Sequence, residues 1–255
     1  MKITRTIAET RAVLGRADDV GLVPTMGAYH AGHLSLFTAA REENDLVIAS
    51  LFVNPAQFGD PADLARYPRN EAADAAIAEE AGVDVLFAPS TEELYPPGYE
   101  TWVDVENASR GLEGDHRPGH FRAVATVCLK LFSIVRPRRA YFGQKDAQQV
   151  EVVRRMIRDL DLDLELRVVP TVRDPDGLAL SSRNVLLSPE ERERAIQLPR
   201  ALATKVAARA RALLDGLEVD YLELAPFDPP VLAAAVRVGS IRLIDNVPLD
   251  EGGSP

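Results

Sequence analysis

Four histidines fall in two clusters, His30 and His33 within PTMGAYHAGHLSLF and His116 and His120 within LEGDHRPGHF. The pair His30-Ala-Gly-His33 follows a short apolar run, Val20 to Pro24, and opens a helical pattern from His33 to Glu43, so it lies where a strand hands over to a helix. A helix N-terminus offers unpaired amides and a positive dipole end to an anion. Gly27 and Gly32 let the backbone approach such a ligand closely. Two imidazoles there can contact phosphate oxygens as charge develops on them. Capping or packing is the competing reading of an isolated HxxH. The place after the first long strand favours a ligand, because α/β sheets bind ligands beyond the carboxyl ends of their strands.

Three further polar segments accompany this pair, two where a strand ends and one, Val172 to Asn184, at the proposed domain junction. Phe52-Val-Asn-Pro-Ala-Gln-Phe58 leaves the second strand with Asn54 and Gln57, uncharged hydrogen-bonding groups beside apolar Phe52, which suits a small ligand with hydroxyls and methyls. In Tyr141 to Gln149, Gly143 can admit a ribose or base edge, Lys145 offers charge to a phosphate, and Asp146 can hold a magnesium-phosphate complex or a sugar hydroxyl. Gln149 would face the same crevice one helical turn on. In Val172 to Asn184, Ser181, Ser182 and Arg183 can close over a triphosphate as a mobile cover. The plain alternatives are a proline turn, a solvated ion pair and a linker. No nucleophile constellation accompanies them: Ser181 and Ser182 have no histidine nearby in sequence, and Cys128 sits in an apolar helical pattern that predicts a buried, inert thiol. Transfer onto or from a nucleotide is the chemistry these residue types favour.

The elements that must position them alternate strand with helix up to about residue 172, which predicts an α/β fold with a parallel sheet. Strands are expected at Val20 to Pro24, Leu46 to Val53, Val83 to Ala88, Arg139 to Phe142 and Leu164 to Val169. Helices are expected at His33 to Glu43, Asn70 to Ala81, Phe121 to Val135 and Asp146 to Leu160, the last burying Val150, Val153, Ile157 and Leu160. After the RDPDG turn a charged helix starts at Pro189, with Ser188 as N-cap, and runs towards Leu214. β-like runs follow at Val219 to Leu224, Val231 to Val238 and Ile241 to Ile244, with a hairpin turn at Gly239-Ser240. Residues 1–174 are therefore read as one domain and 175–255 as a smaller α+β domain, with an unstructured GGSP tail.

Composition sets the limits on partners. The 255 residues are 46% hydrophobic and 27% charged, enough for one large domain or two smaller ones. A formal net charge of −10 repels polyanions and disfavours general nucleic-acid binding. A single cysteine excludes an intrachain disulfide. The longest uncharged apolar stretch, Leu46 to Val53, is far short of the roughly 20 residues of a membrane helix, and Arg5, Glu9 and Arg11 interrupt any secretory signal. A soluble, cytoplasmic protein without membrane partners is expected.

Taken in order, PTMGAYHAGH, FVNPAQF, YPR at Tyr67 to Arg69, LEGDHRPGHF, FGQKDAQQ, DGLALSSRN and a C-terminal RLIDN resemble the pantothenate synthetase, or pantoate-β-alanine ligase, family over nearly the whole chain. The HxGH element alone belongs to a wider nucleotidyltransferase superfamily. The resemblance implies a Rossmann-like N-terminal domain, magnesium dependence, a cytoplasmic homodimer and two steps: ATP and pantoate give pantoyl adenylate and pyrophosphate, then the amine of β-alanine displaces AMP. It implies that Met26, Gly27, Ala28, Tyr29, His30, Ala31, Gly32 and His33 bind ATP, together with Gly143, Gln144, Lys145, Asp146, Val172, Leu180, Ser181, Ser182 and Arg183. His33 is the family's proton donor, with His30, Lys145, Ser181 and Arg183 also catalytic. Phe52, Asn54, Gln57 and Gln149 would hold pantoate, Gln57 and Tyr67 β-alanine, and Asp146 the metal.

Three departures from the family pattern stand out. Ala123 replaces a common glycine, Tyr29 a common leucine at what is expected to be the pocket's rim, and the stretch between the long C-terminal helix and RLIDN is shorter. The alternatives are a nucleotidyltransferase for another small acid, whose phosphorylated substrates would ask for more cations, and a silent nucleotide-binding homologue. A tRNA-charging enzyme lacks any evident tRNA-binding module here.

Overall fold

The chain opens with a strand too short for periodicity to reveal, β1 (Lys2–Thr4), and a helix, α1 (Ile7–Leu14). A capping box starts α1: the Thr6 hydroxyl accepts from the Glu9 amide at 3.1 Å and the Glu9 carboxylate accepts from the Thr6 amide at 3.2 Å. There follow β2 (Val20–Thr25), α2 (Ala31–Glu43), β3 (Leu46–Leu51), α3 (Pro61–Arg66), α4 (Glu71–Glu80), β4 (Val85–Phe87), α5 (Thr91–Leu94), α6 (Leu112–His116), α7 (His120–Val135), β5 (Arg139–Gly143), α8 (Ala147–Asp159) and β6 (Glu165–Val169). This computed structural model describes residues 1–249, so the expectation for the GGSP tail lies outside the described residues.

The six strands form one parallel sheet in the order β1-β4-β3-β2-β5-β6. Sequence order runs outward from β2 through β3 to β4 on one side and from β5 to β6 on the other, so the topological switch lies between β2 and β5. Central strands covered on both faces read as unbroken apolar runs, and β4 is buried along its whole length. Phe37 and Ala40 of α2 and Ala78 of α4 pack with Val23, Val47, Ala49 and Leu86 of the sheet, all but fully buried.

Two compact units emerge: residues 1–142 with 152–169, and residues 143–151 with the chain from 170 onward. The second unit thus includes the segment from Gly143 to Glu151, which the sequence pattern groups with the first 174 residues. Its helices are α9 (Pro189–Ala195), α10 (Gln197–Leu202) and α11 (Ala207–Leu213). The single charged helix expected there is therefore three. Pro199 has no N–H to continue the ladder from α9, and Lys205 takes a left-handed φ of 54° before α11. Antiparallel strands β7 (Glu218–Ala225), β8 (Val231–Val238) and β9 (Ile241–Pro248) follow in that order in their own sheet. Leu198, Leu202 and Leu214 pack with Leu222, Leu232, Val236 and Leu243 to form that unit's core. The two-residue turn Gly239-Ser240 joins β8 to β9, and a Cβ at Gly239 would collide with the Glu191 carboxylate.

Helix α8 corrects one packing expectation. Val150 and Val153 are buried as foreseen, but Val152 and Met156 complete the stripe, while Ile157 is half-buried and Leu160 is 48% exposed. The helix stops at Asp159 and the chain turns through a left-handed Asp161, so Leu160 no longer shares the helical face.

Candidate active site

At the carboxyl end of β2 the chain enters a turn with two successive residues in the left-handed region, Gly27 at φ 86° and Ala28 at φ 56°. A buried carboxylate holds this turn. Asp74 of α4, 4% exposed, accepts from the Ala28 amide at 3.0 Å and the Tyr29 amide at 2.9 Å. The close approach requires glycine, since a Cβ at Gly27 would lie 2.7 Å from Asp74 Oδ2 and 2.6 Å from Leu51 Cδ1.

His30 is the N-cap of α2, and the two histidines cap it reciprocally. The Gly32 amide donates to His30 Nδ1 at 3.1 Å, and the His30 amide donates to His33 Nδ1 at 3.3 Å. This is a capping box with imidazoles in place of the usual hydroxyl and carboxylate. Because both Nδ1 atoms accept, the neutral tautomer of each ring carries its proton on Nε2. The rings lie 4.3 Å apart between centroids. Capping, one of the two readings of an isolated HxxH, is thus made through Nδ1 of each ring.

Tyr29 is not a rim residue. Its side chain turns into the core, with the ring 5.1 Å from Phe37 edge-on, 5.3 Å from His33, and the phenol 3.0 Å from the Thr25 hydroxyl. Burial pushes the phenol pKa up.

Asn54 and Gln57 lie on the 3-10 turn after β3 and are 1% and 8% exposed. Asn54 Nδ2 donates to Gln57 Oε1 at 3.1 Å, which orients the amide so that Gln57 Nε2 meets the Met26 sulfur at 3.0 Å. FVNPAQF and PTMG are thereby joined in one cluster, with Phe52, 6% exposed, beside it at 6.2 Å from Tyr95. Tyr67, at the C-cap of α3, packs edge-on against Phe58 at 5.6 Å. The second histidine cluster braces this loop: His120 Nδ1 lies 3.1 Å and Arg117 Nη2 3.4 Å from the Gln57 carbonyl, and Arg117 Nη1 lies 3.2 Å from His120 Nε2. Since a guanidinium only donates, His120 Nε2 accepts and Nδ1–H donates to Gln57. Ala123 is buried in α7, its carbonyl 3.5 Å from Asn54 Nδ2. Cys128 is buried as expected, which pushes its thiol up to about 12.

The second unit brings together the other predicted residues. Gln144 to Asp146 form a 3-10 turn leading into α8, on which Gln149 is half-buried. Val172 to Asn184 is not an open loop at its base. Arg173 bridges Ala179, the Leu180 amide donates to the Val172 carbonyl at 3.0 Å, and Arg192 of α9 grips Asp174 and Asp176 at 2.6 and 2.8 Å. Ser181 Oγ accepts from the Arg183 amide at 3.3 Å. Both segments meet β9: Asn246 bonds Gln144 and Lys145, and Asp245 bonds Arg173. Sequence reasoning assigned no part to Asp74, Asp245 or Asn246. RLIDN marks the last two as motif, whereas nothing local distinguishes Asp74 from its acidic neighbours.

A family model described as pantoate-beta-alanine ligase matches residues 2–248. The pantothenate synthetases of Acetivibrio thermocellus and Moorella thermoacetica are 46% and 48% identical over 279 and 280 positions, covering 97% and 98% of this chain and 99% of each relative. Those alignments are longer than the 255 residues here, so both relatives carry residues that this chain lacks. The crystal structure of pantothenate synthetase from Thermus thermophilus superposes with a TM-score of 0.93 at 47% identity, covering 97% of this chain and 99% of that one. That of pantoate-beta-alanine ligase from Francisella tularensis complexed with beta-gamma ATP and beta-alanine gives 0.87 at 36%, covering 97% of each.

Proposed function

The chain belongs to the pantoate-β-alanine ligase family and is a ligase that forms pantothenate, and from that premise we propose how its residues share the reaction. A pantoate carboxylate oxygen attacks the α-phosphorus of ATP and pyrophosphate leaves. The amine of β-alanine then attacks the acyl carbon of the resulting adenylate, and AMP leaves. Met26 to His33 and Gly143 to Asp146 bind ATP, with Val172 at the adenine and Leu180 to Arg183 at the phosphates. Nε2–H of His30 and His33, the Lys145 ammonium, the Ser181 hydroxyl and the Arg183 guanidinium stabilise charge developing on the phosphates. Gln57 and Gln149, with Phe52 and Asn54, hold pantoate, and β-alanine arrives beside Gln57 and Tyr67. The adenylate is already a mixed anhydride, so the second step rests on positioning the amine and excluding water.

Magnesium belongs to this proposal as the partner of ATP, whose phosphate charge it would neutralise. Among the described residues no three metal-binding side chains converge. Mg2+ commonly takes substrate phosphates and one or two carboxylates rather than a protein cage, which fits Asp146 as a single contributor. The homodimer and cytoplasmic setting implied by the family resemblance complete the proposal. The net charge of −10 supports the absence of a nucleic-acid partner, and among the described residues no helix is long and apolar enough to cross a membrane.

The observation that carries the substrate assignment is Gln57. A buried amide donor resting on a thioether, a weak acceptor, gains a stronger partner when a hydroxyl or carboxylate oxygen arrives. The test is exchange of labelled pyrophosphate into ATP without β-alanine, which pantoate should support, followed by AMP and pantothenate release when the amine is added. Exchange supported by other acids but never by pantoate overturns the assignment. Gln57→Ala should raise the KM for pantoate more than tenfold, about the loss expected when a ligand's buried polar partner is removed.

A further inference from the structure

We propose that Asn246 on β9 is a positioning residue for Lys145, and that its neighbour Asp245 does the same for the segment after Val172. This makes the C-terminal hairpin a brace for nucleotide binding, and it rests on the assignment of Lys145 and Val172 to ATP. Asn246 is 3% exposed, and both hydrogens of its amide are used on consecutive carbonyls, Gln144 and Lys145, each at 2.9 Å. Its oxygen accepts from Gln144 Nε2 at 3.1 Å. One carbonyl belongs to the peptide plane before the Lys145 Cα and the other to the plane after it. Peptide planes are rigid, so holding both fixes the two dihedrals between them and with them the direction in which the Lys145 side chain leaves.

Asp245 is equally buried and grips Arg173 with both oxygens, at 2.7 and 3.0 Å, and Arg173 Nη2 also reaches the Asn246 carbonyl at 3.4 Å. Successive side chains of a strand point to opposite faces, which is how one strand serves two segments. A slip of one residue in the β8–β9 register would present each side chain to the wrong face. That register pairs Asp245 with Ala234 and Asn246 with Ala233, and is set by the Gly239-Ser240 turn. Asn is needed at 246 because its amide alone supplies two donors and an acceptor from so short a stem. Aspartate has the same shape and no donor.

The test is the pantoate-dependent exchange of pyrophosphate into ATP, with KM measured separately for ATP and pantoate. Asn246→Asp should raise the KM for ATP about tenfold while the KM for pantoate moves less than about twofold, since two hydrogen bonds to the Lys145 turn are lost and none elsewhere. Asn246→Ser, which keeps one donor, should fall between and stands in if the aspartate variant does not fold. Val236→Ala, which removes two methyls from the core of the same sheet, should lower the melting temperature without changing the KM for ATP. An unchanged KM for ATP in Asn246→Asp overturns the brace. So does a matching rise in both constants, or an equal rise in Val236→Ala, and so does failure of both Asn246 variants to fold while Val236→Ala folds. Absence of pantoate-dependent exchange in the wild type overturns the site assignment instead.

Discussion

The two turns assigned to ATP are supported in opposite ways. The turn after β2 carries much of its own scaffold: His30 and His33, three residues apart, cap each other, while Asp74 holds the Ala28 and Tyr29 amides and Gln57 reaches Met26 from farther along the chain. The turn after β5 is held at its carbonyls by Asn246, more than 100 positions later in the chain. The first rests on contacts with α2 and α4, whereas the second rests on a strand of the antiparallel sheet. On the proposed assignment, a residue in the first turn has two jobs, cap and ligand, while in the second the jobs belong to different residues.

The largest expected effect tests that double duty. His33→Ala should slow pantoate-dependent exchange by about two to three orders of magnitude. It should also cost about 1 kcal/mol of stability through the lost cap. His33→Gln separates the two, because glutamine at the third helical position can still accept from the His30 amide but has no imidazole donor. Its exchange should stay as slow as that of the alanine variant while its melting temperature returns towards wild type. Recovery of rate with the cap would show that the ring acts only by shaping the turn.

Asp74 comes next, as the distant acceptor for the Ala28 and Tyr29 amides of the first turn. Asp74→Ala leaves the Ala28 and Tyr29 amides without their acceptor, at about 1–3 kcal/mol for each buried donor. Exchange should fall about tenfold as the turn relaxes, the scale of one such loss expressed in the transition state. Gly27→Ala attacks the same contact from the other side, and the two variants should be less than additive because without Asp74 the added methyl meets only Leu51 Cδ1. Strict additivity, measured by chemical denaturation of both singles and the double, would show that Asp74 and Gly27 support the turn independently.

The same contrast explains what could be read from sequence. His30, His33, Asn54, Gln57 and Lys145 stand out as candidates because strand-to-helix junctions and local spacing single them out, and the parallel α/β architecture follows from the alternation of apolar runs. Asp74 was invisible: in EAADAAIAEE it resembles any solvated helix carboxylate, and only the fold carries it under Ala28 and Tyr29. The break of the charged helix at Ile196, three residues ahead of Pro199, is legible in principle, since proline cannot continue a hydrogen-bond ladder, but the charge pattern of EERERA masks it. Tyr29 reads as a rim residue because it adjoins His30, yet Phe37 and Thr25 give the ring a place inside.

The smallest effect probes whether the first turn is truly self-contained. At the far end of α2, Glu43 accepts from Arg167 Nε and from the Tyr141 phenol, each at 2.9 Å. The Arg167 hydrogen bond, more than the phenol, holds the Glu43 carboxyl below its ordinary range. A carboxyl whose pKa is depressed by folding adds stability above its unfolded value and loses it as pH falls through the folded one. Glu43 and Arg167 side chains are both 41% exposed, so solvent screens the pair to under about 1 kcal/mol. Arg167→Ala should lower the melting temperature by about 2–4 °C at most at pH 7, and the difference should vanish once acid protonates Glu43. Pyrophosphate exchange should not change. The 13 residues of α2 place roughly 20 Å between this pair and His30. A loss of exchange would show that the histidine turn depends on the whole helix, and the contrast between the two turns would shrink to one of degree.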